Sequence, residues 1–438
     1  MRMRIRRTRK LLLSLTAVVA LAVVVHFVLS AVAAGRLEAA RERFAGAVGP
    51  LELAEYAPRA PAEIDNAAHW ILAGAQALEV LSGDDAESER LLFERLRPDL
   101  RVVLTTEERA VAEGLVERNR IALELLSRAA ACSGSSYGID YAAGAEAALP
   151  PLVELVRVAR VVGLEGRLAI DGRNRVALAR SLGTLAAMGR SLESESLLLT
   201  QLVAMAIDPI YRQLLAYGLA AGVVDAGLAA EVARQLEARD PIDGFRRGLG
   251  GEGAMASSVP ATVAAFGELE TSLLRRVEAR LAQPGLDLVH ARLLDDYVEL
   301  AALLDRPLPE IRRVWGDPAE RGTVLGLKSP LYVDLLRLTA RAKQSEAGHE
   351  LAALAVDLWR AAADAAEGYP LSIAARVEPF AGEAPSYELR ADGSVELAAP
   401  AADAEWDRLY ADSPDRTRDV FTWRLPPPAP APAVESVA

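Results

Sequence analysis

The chain has 438 residues, 52% of them hydrophobic and 25% charged, with a net charge of −12 at pH 7. Its single cysteine, Cys132, excludes an internal disulfide and a cysteine-built metal cage, and lies too far along the chain to be a lipid-modified N-terminal residue. With the basic leader Arg2, Arg4, Arg6, Arg7, Arg9 and Lys10 set aside, the −12 of the whole becomes −18, which repels nucleic acid and anionic lipid, so no nucleic-acid partner is expected.

Residues 1–10 form that cytoplasmic leader, and residues 11–34 carry no Asp, Glu, Lys or Arg. At about 1.5 Å per helical residue this run crosses a hydrocarbon core of roughly 30 Å, which predicts a transmembrane signal-anchor helix embedded in the lipid bilayer. The excess of basic residues before the run predicts a cytoplasmic N-terminus in the bacterial inner (plasma) membrane, with the bulk of the chain extracytoplasmic. Ala31-Val32-Ala33 fits the small-residue pattern of signal-peptide cleavage, but the uninterrupted apolar run from Leu11 to Leu29 is longer than such peptides carry and favours retention. His26 falls within the run with no second ionisable residue beside it.

Residues 35–370 read as a helical domain. Pro61 opens a segment whose Ile64, Ala68, Ile71, Leu72, Ala75 and Leu78 recur at helical spacing, ending near Gly83. Thr105 and Glu108 form a capping box, after which Val111, Leu115, Ala122, Leu125, Leu126 and Ala129 form one stripe. A loop over 134–144 leads to a helix opened by Pro150-Pro151 and running through Val162, and further helices are predicted over 164–191, 194–222 and 225–239. Gly248 to Gly253 predict a bent or interrupted helix within 241–268. Helices resume over 286–304 and 308–315, and a long one begins near Ser329-Pro330 and stops at Gly368 and Pro370. The fold class expected is mainly α, a multi-helix bundle or short α-solenoid behind the anchor.

Residues 371–425 change character. Ser386 to Arg390 and Ser394 to Leu397 alternate around Asp392-Gly393, and Val420 to Leu425 alternates again. This predicts a small β-hairpin element with Ala391-Asp392-Gly393 as the turn, Leu389 opposite Val395 and Tyr387 opposite Leu397, packed on Leu351, Leu354 and Leu358. Residues 426–438 are a Pro/Ala tail expected to be disordered.

Four fragments suggest chemistry, and each lacks the context that chemistry needs. Gly134-Ser135-Ser136-Tyr137-Gly138 matches G-x-S-x-G, but a helix rather than a strand precedes it and no motif supplies a histidine base. Gly248, Gly250 and Gly253 match G-x-G-x-x-G without a preceding strand. Asp295-Asp296-Tyr297-Val298-Glu299 resembles the magnesium motif of all-α terpenoid synthases, but the second metal motif is missing and an acidic, solvent-facing helix is expected. His69-Trp70 pairs a titratable ring with an aromatic, a combination found in core packing more often than in a ligand pocket. No catalytic, cofactor-binding or metal-ligating residue is assigned, and no cofactor is expected.

Several segments together resemble a group of uncharacterised, membrane-anchored bacterial proteins with helical extracytoplasmic regions. They are Asp65-Asn66-Ala67-Ala68, Tyr137-Gly138-Ile139-Asp140-Tyr141 with the Leu149-Pro150 helix start, Leu182 to Ile207, and Leu351 to Pro370 leading into Glu378-Pro379-Phe380-Ala381-Gly382. The resemblance implies architecture and location and brings no activity with it. The C-terminal piece is also similar to the end of type II secretion pseudopilins, although the processing site of that family is absent before the apolar run and its aspartate-rich calcium loop is not recognisable. The function expected is that of a membrane-tethered, non-enzymatic interaction or scaffold protein of the cell envelope with a protein partner there. The alternative is an exported, hydrolase-like enzyme whose site is assembled from dispersed acidic residues.

Overall fold

An unbroken helix of 46 residues, α1 (Arg2–Ala47), opens the chain in the computed structural model, which describes residues 2–79, 81–97, 99–269, 273–315, 323–324, 327–328, 335–364, 369–370, 384–398 and 422–427. Within Ala20–Ala47 it holds a stretch of mean hydropathy 2.0, long and apolar enough to cross a membrane. The helix does not stop at the end of the apolar run. Beyond residue 20 its covered positions form one line, His26 and Ser30 half-buried and Ala33, Leu37, Ala40 and Phe44 buried, at the alternating three- and four-residue spacing of a helix-packing seam. That seam lies against α11 (Leu273–Leu303), where Phe44 meets Tyr297 edge to face at 6.5 Å and Arg43 bonds Asp295 at 2.8 Å.

Short 3-10 turns lead to α2 (Ala67–Ala77), which starts later than the pattern of apolar residues suggested. Asn66 is its cap, accepting the Ala68 N–H at 3.1 Å, so Ile64 falls outside the helix and is 80% exposed. An acidic-basic segment with no strong apolar periodicity forms α3 (Gly83–Leu96), which sequence reading missed. It is held by buried Leu92 and Leu96 and by an Arg157–Glu89 ion pair at 2.8 Å. The predicted capping box of Thr105 and Glu108 is present. The stripe behind it is broken into α4 (Thr106–Arg118) and α5 (Arg120–Arg128) at Asn119, whose buried amide donates to Leu115 O at 2.9 Å and accepts from Glu79 N at 2.8 Å.

The centre of the domain is α6 (Leu152–Asp171), α7 (Arg175–Glu193) and α8 (Leu198–Ala220), packed on one another through Leu155, Val158, Leu182, Leu185, Met188 and Leu214. The turn between α6 and α7 falls at Gly172 to Asn174 rather than near residue 163, because Asn174 caps α7 by accepting from Ala177 N at 3.1 Å. Around this centre lie α9 (Ala226–Glu237), α10 (Pro241–Leu269), α12 (Leu308–Trp315) and α13 (Leu335–Asp364). The last of these packs on α8, α9 and α10. Contacts between helices so distant in sequence close the domain as a bundle, since solenoid repeats touch only their neighbours.

Of the bent or interrupted helix expected within 241–268, the interruption does not occur, since α10 is one continuous helix through its glycines. They are sites of close approach. A Cβ on Gly251 would overlap the backbone oxygen of Ser196, one on Gly253 would strike the Phe44 ring, and one on Gly250 would strike Tyr56. Helix propensity is sacrificed at each of these positions so that a neighbour can touch the backbone.

The C-terminal sheet has β3 (Ser386–Leu389), β4 (Val395–Ala398) and β5 (Thr422–Leu425) in that order, all antiparallel. Leu389 pairs with Val395 and Tyr387 with Leu397, as the alternation predicts, and Gly393 takes φ 76° in the turn. Val395, Leu397, Trp423 and Leu425 are buried, and the sheet packs on α13 and, through β5, on α8. A short unpredicted ribbon, β1 (Thr323–Val324) with β2 (Leu327–Lys328), precedes α13. The expected ends of α13 near residues 329 and 368, the segment 378–382 and the tail beyond Pro427 lie outside the described residues.

Candidate functional site

Three segments from distant parts of the sequence meet at one place. Asn66, besides capping α2, accepts from Ser136 N at 3.0 Å and donates to Ser136 O at 2.9 Å, so its amide clamps the 133–137 loop as a second strand would. Asp65 accepts from Ser133 N at 2.8 Å and from the Ser133 hydroxyl, and these bonds hold its carboxyl below the usual carboxylate range. The far side of the loop is held by Glu195, in the turn between α7 and α8, which takes Tyr137 N–H at 2.7 Å and the Tyr141 hydroxyl at 2.6 Å. Tyr141 Oη in turn accepts from Ser196 N at 3.0 Å. Burial pushes the fully covered Glu195 carboxyl up, against the two hydrogen bonds that favour its charge. Burial, and then the bond to Glu195, raise the Tyr141 phenol.

Beside Tyr141 a cleft of about 590 Å³ opens where α1 enters the domain. Glu38 and Arg41 of α1 form one wall, Leu51 to Ala54 a second, Tyr141 to Gly144 a third, and Ser257 of α10 closes the end. Arg41 donates to Ser257 O at 3.0 Å and lies 3.8 Å from Glu38. The Glu38 and Glu52 carboxylates stand in solvent. Sequence reading picked out none of these three charges, because what gathers them is the path of α1 through residue 47 and not any local motif.

A second polar assembly is sealed in the bundle. Asp208 of α8 is fully buried and bonds Arg239 at 2.7 Å, Arg212 at 2.9 Å and the Ser345 hydroxyl at 3.0 Å. Arg239 also pairs with Glu193 at 2.5 Å. Burial alone would raise the Asp208 pKa, but Arg212, Arg239 and His349 pull it down to about 2. His349 Nε2 donates to Leu236 O at 2.8 Å, and burial lowers the pKa of the ring, reinforced by Arg239. Four parts of the bundle, α7, α8, the α9–α10 junction and α13, are tied by these polar contacts.

The suggestive fragments are accounted for by structure. Ser136 Oγ takes the Gly138 N–H at 3.3 Å in a turn, and among the described residues no histidine bonds to it. Gly248, Gly250 and Gly253 lie inside α10 and make room for neighbours. The acidic run at 295–299 is not a solvent-facing face as expected. Asp295 is tied to Arg43, and Asp296 is wholly buried with Arg292 at 3.1 Å, because α11 is covered by α1 and α10 together. His69 and Trp70 stand edge to face at 5.2 Å, and the Arg128 guanidinium lies 4.7 Å over the Trp70 ring, so the pair packs α5 on α2. Among the described residues no three His, Cys, Asp or Glu side chains gather as a metal ion would require.

Fold and site together define a mainly α protein with one N-terminal apolar helix, a helical bundle built onto that helix and a small antiparallel sheet. Comparison with protein-family profiles, curated proteins and solved structures finds no match.

Proposed function

We propose that this chain is a membrane-tethered, non-enzymatic interaction or scaffold protein of the bacterial cell envelope. In this reading α1 is a retained anchor in the inner membrane, its N-terminus is cytoplasmic, and the bundle stands outside and binds another envelope protein. One observation carries it: the helix long enough to span a membrane is also a structural member of the domain, burying Leu37, Ala40 and Phe44 in the bundle. A domain built on its own anchor has a fixed stance at the membrane, which suits presenting a surface to a neighbour. Kinship with the membrane-anchored helical group is part of the same proposal, supported by the meeting of its segments at Asn66 and Glu195.

The second reading, an exported enzyme using dispersed acids, draws on the cleft that Glu38, Glu52 and Arg41 share. Native-gel migration of the full chain, solubilised gently from its own membranes, separates the two. The scaffold reading expects a discrete assembly larger than the free chain, lost when Glu38 and Glu52 are both changed to Arg if the cleft is part of the surface. Migration as the free chain under all detergents would contradict it.

A further inference from the structure

Three of the segments that wall the cleft beside Tyr141 carry no base. Residues 44–58, 129–156 and 248–257 hold Glu52, Glu55, Asp140, Glu146, Glu154 and Glu252 and not one Lys or Arg. Among the described residues that line the cleft, only Arg41 of α1 is basic, and its charge is already engaged. It donates to Ser257 O at 3.0 Å and is half-buried there.

The acids of the cleft are left open. Glu38 stands 3.8 Å from Arg41, longer than a hydrogen bond, and 67% of its side chain is exposed. Glu52 is exposed and has no hydrogen bond or ion pair among the described residues. Two carboxylates on separate walls, one on α1 and one at the start of the 3-10 turn Leu53–Tyr56, therefore line a single space. Two acids and one base leave the lining with a single negative charge, and Leu51, Leu53, Ala54 and Ala142 make the rest of it largely apolar.

That combination selects an occupant. A cleft with one sign of charge in excess between low-dielectric walls focuses its field, here on a cation. Its volume of about 590 Å³ falls within the roughly 300–1,000 Å³ of sites that take a molecule of many atoms, and among the described residues no side chains gather to hold a metal ion. Apolar lining suits the methylene stem of a basic side chain, whose charged head can stay with the carboxylates. A guanidinium carries five donors in one plane and can serve two carboxylates at once, where an ammonium acts as a point charge. A second copy of this chain is a poor occupant, since beyond the leader each copy carries −18 and the two repel.

We propose that this cleft docks a basic segment of a partner protein, seating one arginine between Glu38 and Glu52 with an apolar neighbour against Leu51 and Leu53. One arginine neutralises the lining. The proposal rests on the reading of the chain as an interaction protein and names the chemistry of the partner it binds.

The test titrates the full chain, solubilised in an uncharged detergent, into a short fluorescent peptide alternating arginine and leucine, with binding read by anisotropy. Binding is expected, weaker as salt rises and about tenfold weaker when citrulline replaces arginine in the peptide. Glu38→Gln and Glu52→Gln alter exposed side chains and should each weaken it roughly two- to fivefold. Ala54→Trp fills the cleft at constant charge and should abolish it, whereas Glu113→Gln, on the exposed surface of α4 outside the cleft, should leave it unchanged. Equal weakening by Glu113→Gln would trace binding to the diffuse negative field of the domain and overturn the cleft as its seat, as would full binding to the Ala54→Trp chain. Equal affinity for the citrulline peptide, or no binding of either, would overturn the basic partner. The titration needs neither membrane nor native assembly, so it can fail while the native-gel result stands, and the reverse.

Discussion

The interior around Asp208 and the seam joining α1, α10 and α11 both bury ionisable groups, but the first buries them as pairs and the second buries some without a hydrogen-bond or ion-pair partner. Asp208, Arg212, Arg239 and Glu193 share their charges in one network. In the seam His290 is 1% exposed and neither ring nitrogen has a hydrogen-bond partner, while burial alone pushes the Glu252 carboxyl up. A paired network keeps its charges across the neutral range and is costly only when one member is removed. An unpaired group is cheap while it stays neutral and makes the packing around it sensitive to pH.

The sharpest way to break the comparison is Arg239→Met, which takes the ion-pair partner from buried Glu193 and leaves buried Asp208 with Arg212 alone of its two arginines. A loss of about 3–5 kcal/mol in urea unfolding of the solubilised chain is expected. Phe44→Ala attacks the seam instead, and emptying that ring's site should cost about 3 kcal/mol and open the α1–α11 junction to protease. Gly251→Ala pushes a methyl against the backbone of Ser196, with an expected loss of about 1–3 kcal/mol although the helix propensity of α10 improves.

The pH response separates the two regions more finely. Burial lowers the His290 pKa, so its contribution is complete above the ordinary histidine value of about 6.5 and is lost as pH falls below it, because the unfolded chain takes up the proton first. Glu252 is raised, so its contribution is complete below the ordinary carboxylate range and is lost as pH rises toward the raised value. Asp208, held at about 2, keeps its contribution until pH falls below the ordinary aspartate value of about 3.9. Melting between pH 7.5 and 5.5 should therefore show destabilisation that His290→Leu reduces, the remainder coming from His349, whose pKa burial also lowers, and that Asp208 does not share. The smallest effect belongs to a feature of neither region, since Thr105→Ala removes a surface helix cap and should cost about 1 kcal/mol.

What could be read from the sequence follows the range of the forces involved. The box of Thr105 and Glu108 and the turn at Asp392-Gly393 are set by residues a few positions apart, and both are legible. Asn119 and the glycines of α10 act on partners far along the chain, so in the sequence Asn119 resembles a mid-helix residue and the glycines resemble a helix break. The same limit applies to the site. Asp65-Asn66, Tyr137 to Tyr141 and 182–207 stand out as segments, but that Asn66 and Glu195 grip opposite sides of one loop is a fact of tertiary packing. Asp208 beside Pro209 carries no local sign that two arginines and a serine surround it.

The contrast between a sealed bundle and a seam built on the apolar N-terminal helix rests on α1 remaining part of the mature chain. Intact-mass measurement of the chain recovered from cells after a high-salt wash tests this directly, because salt screens surface charge without loosening an apolar helix from lipid. The full chain, with its apolar run uncut, is predicted in the membrane fraction. A soluble species beginning at Ala34 would contradict the account, since it would show that the helix on which the domain is built is cut at Ala33.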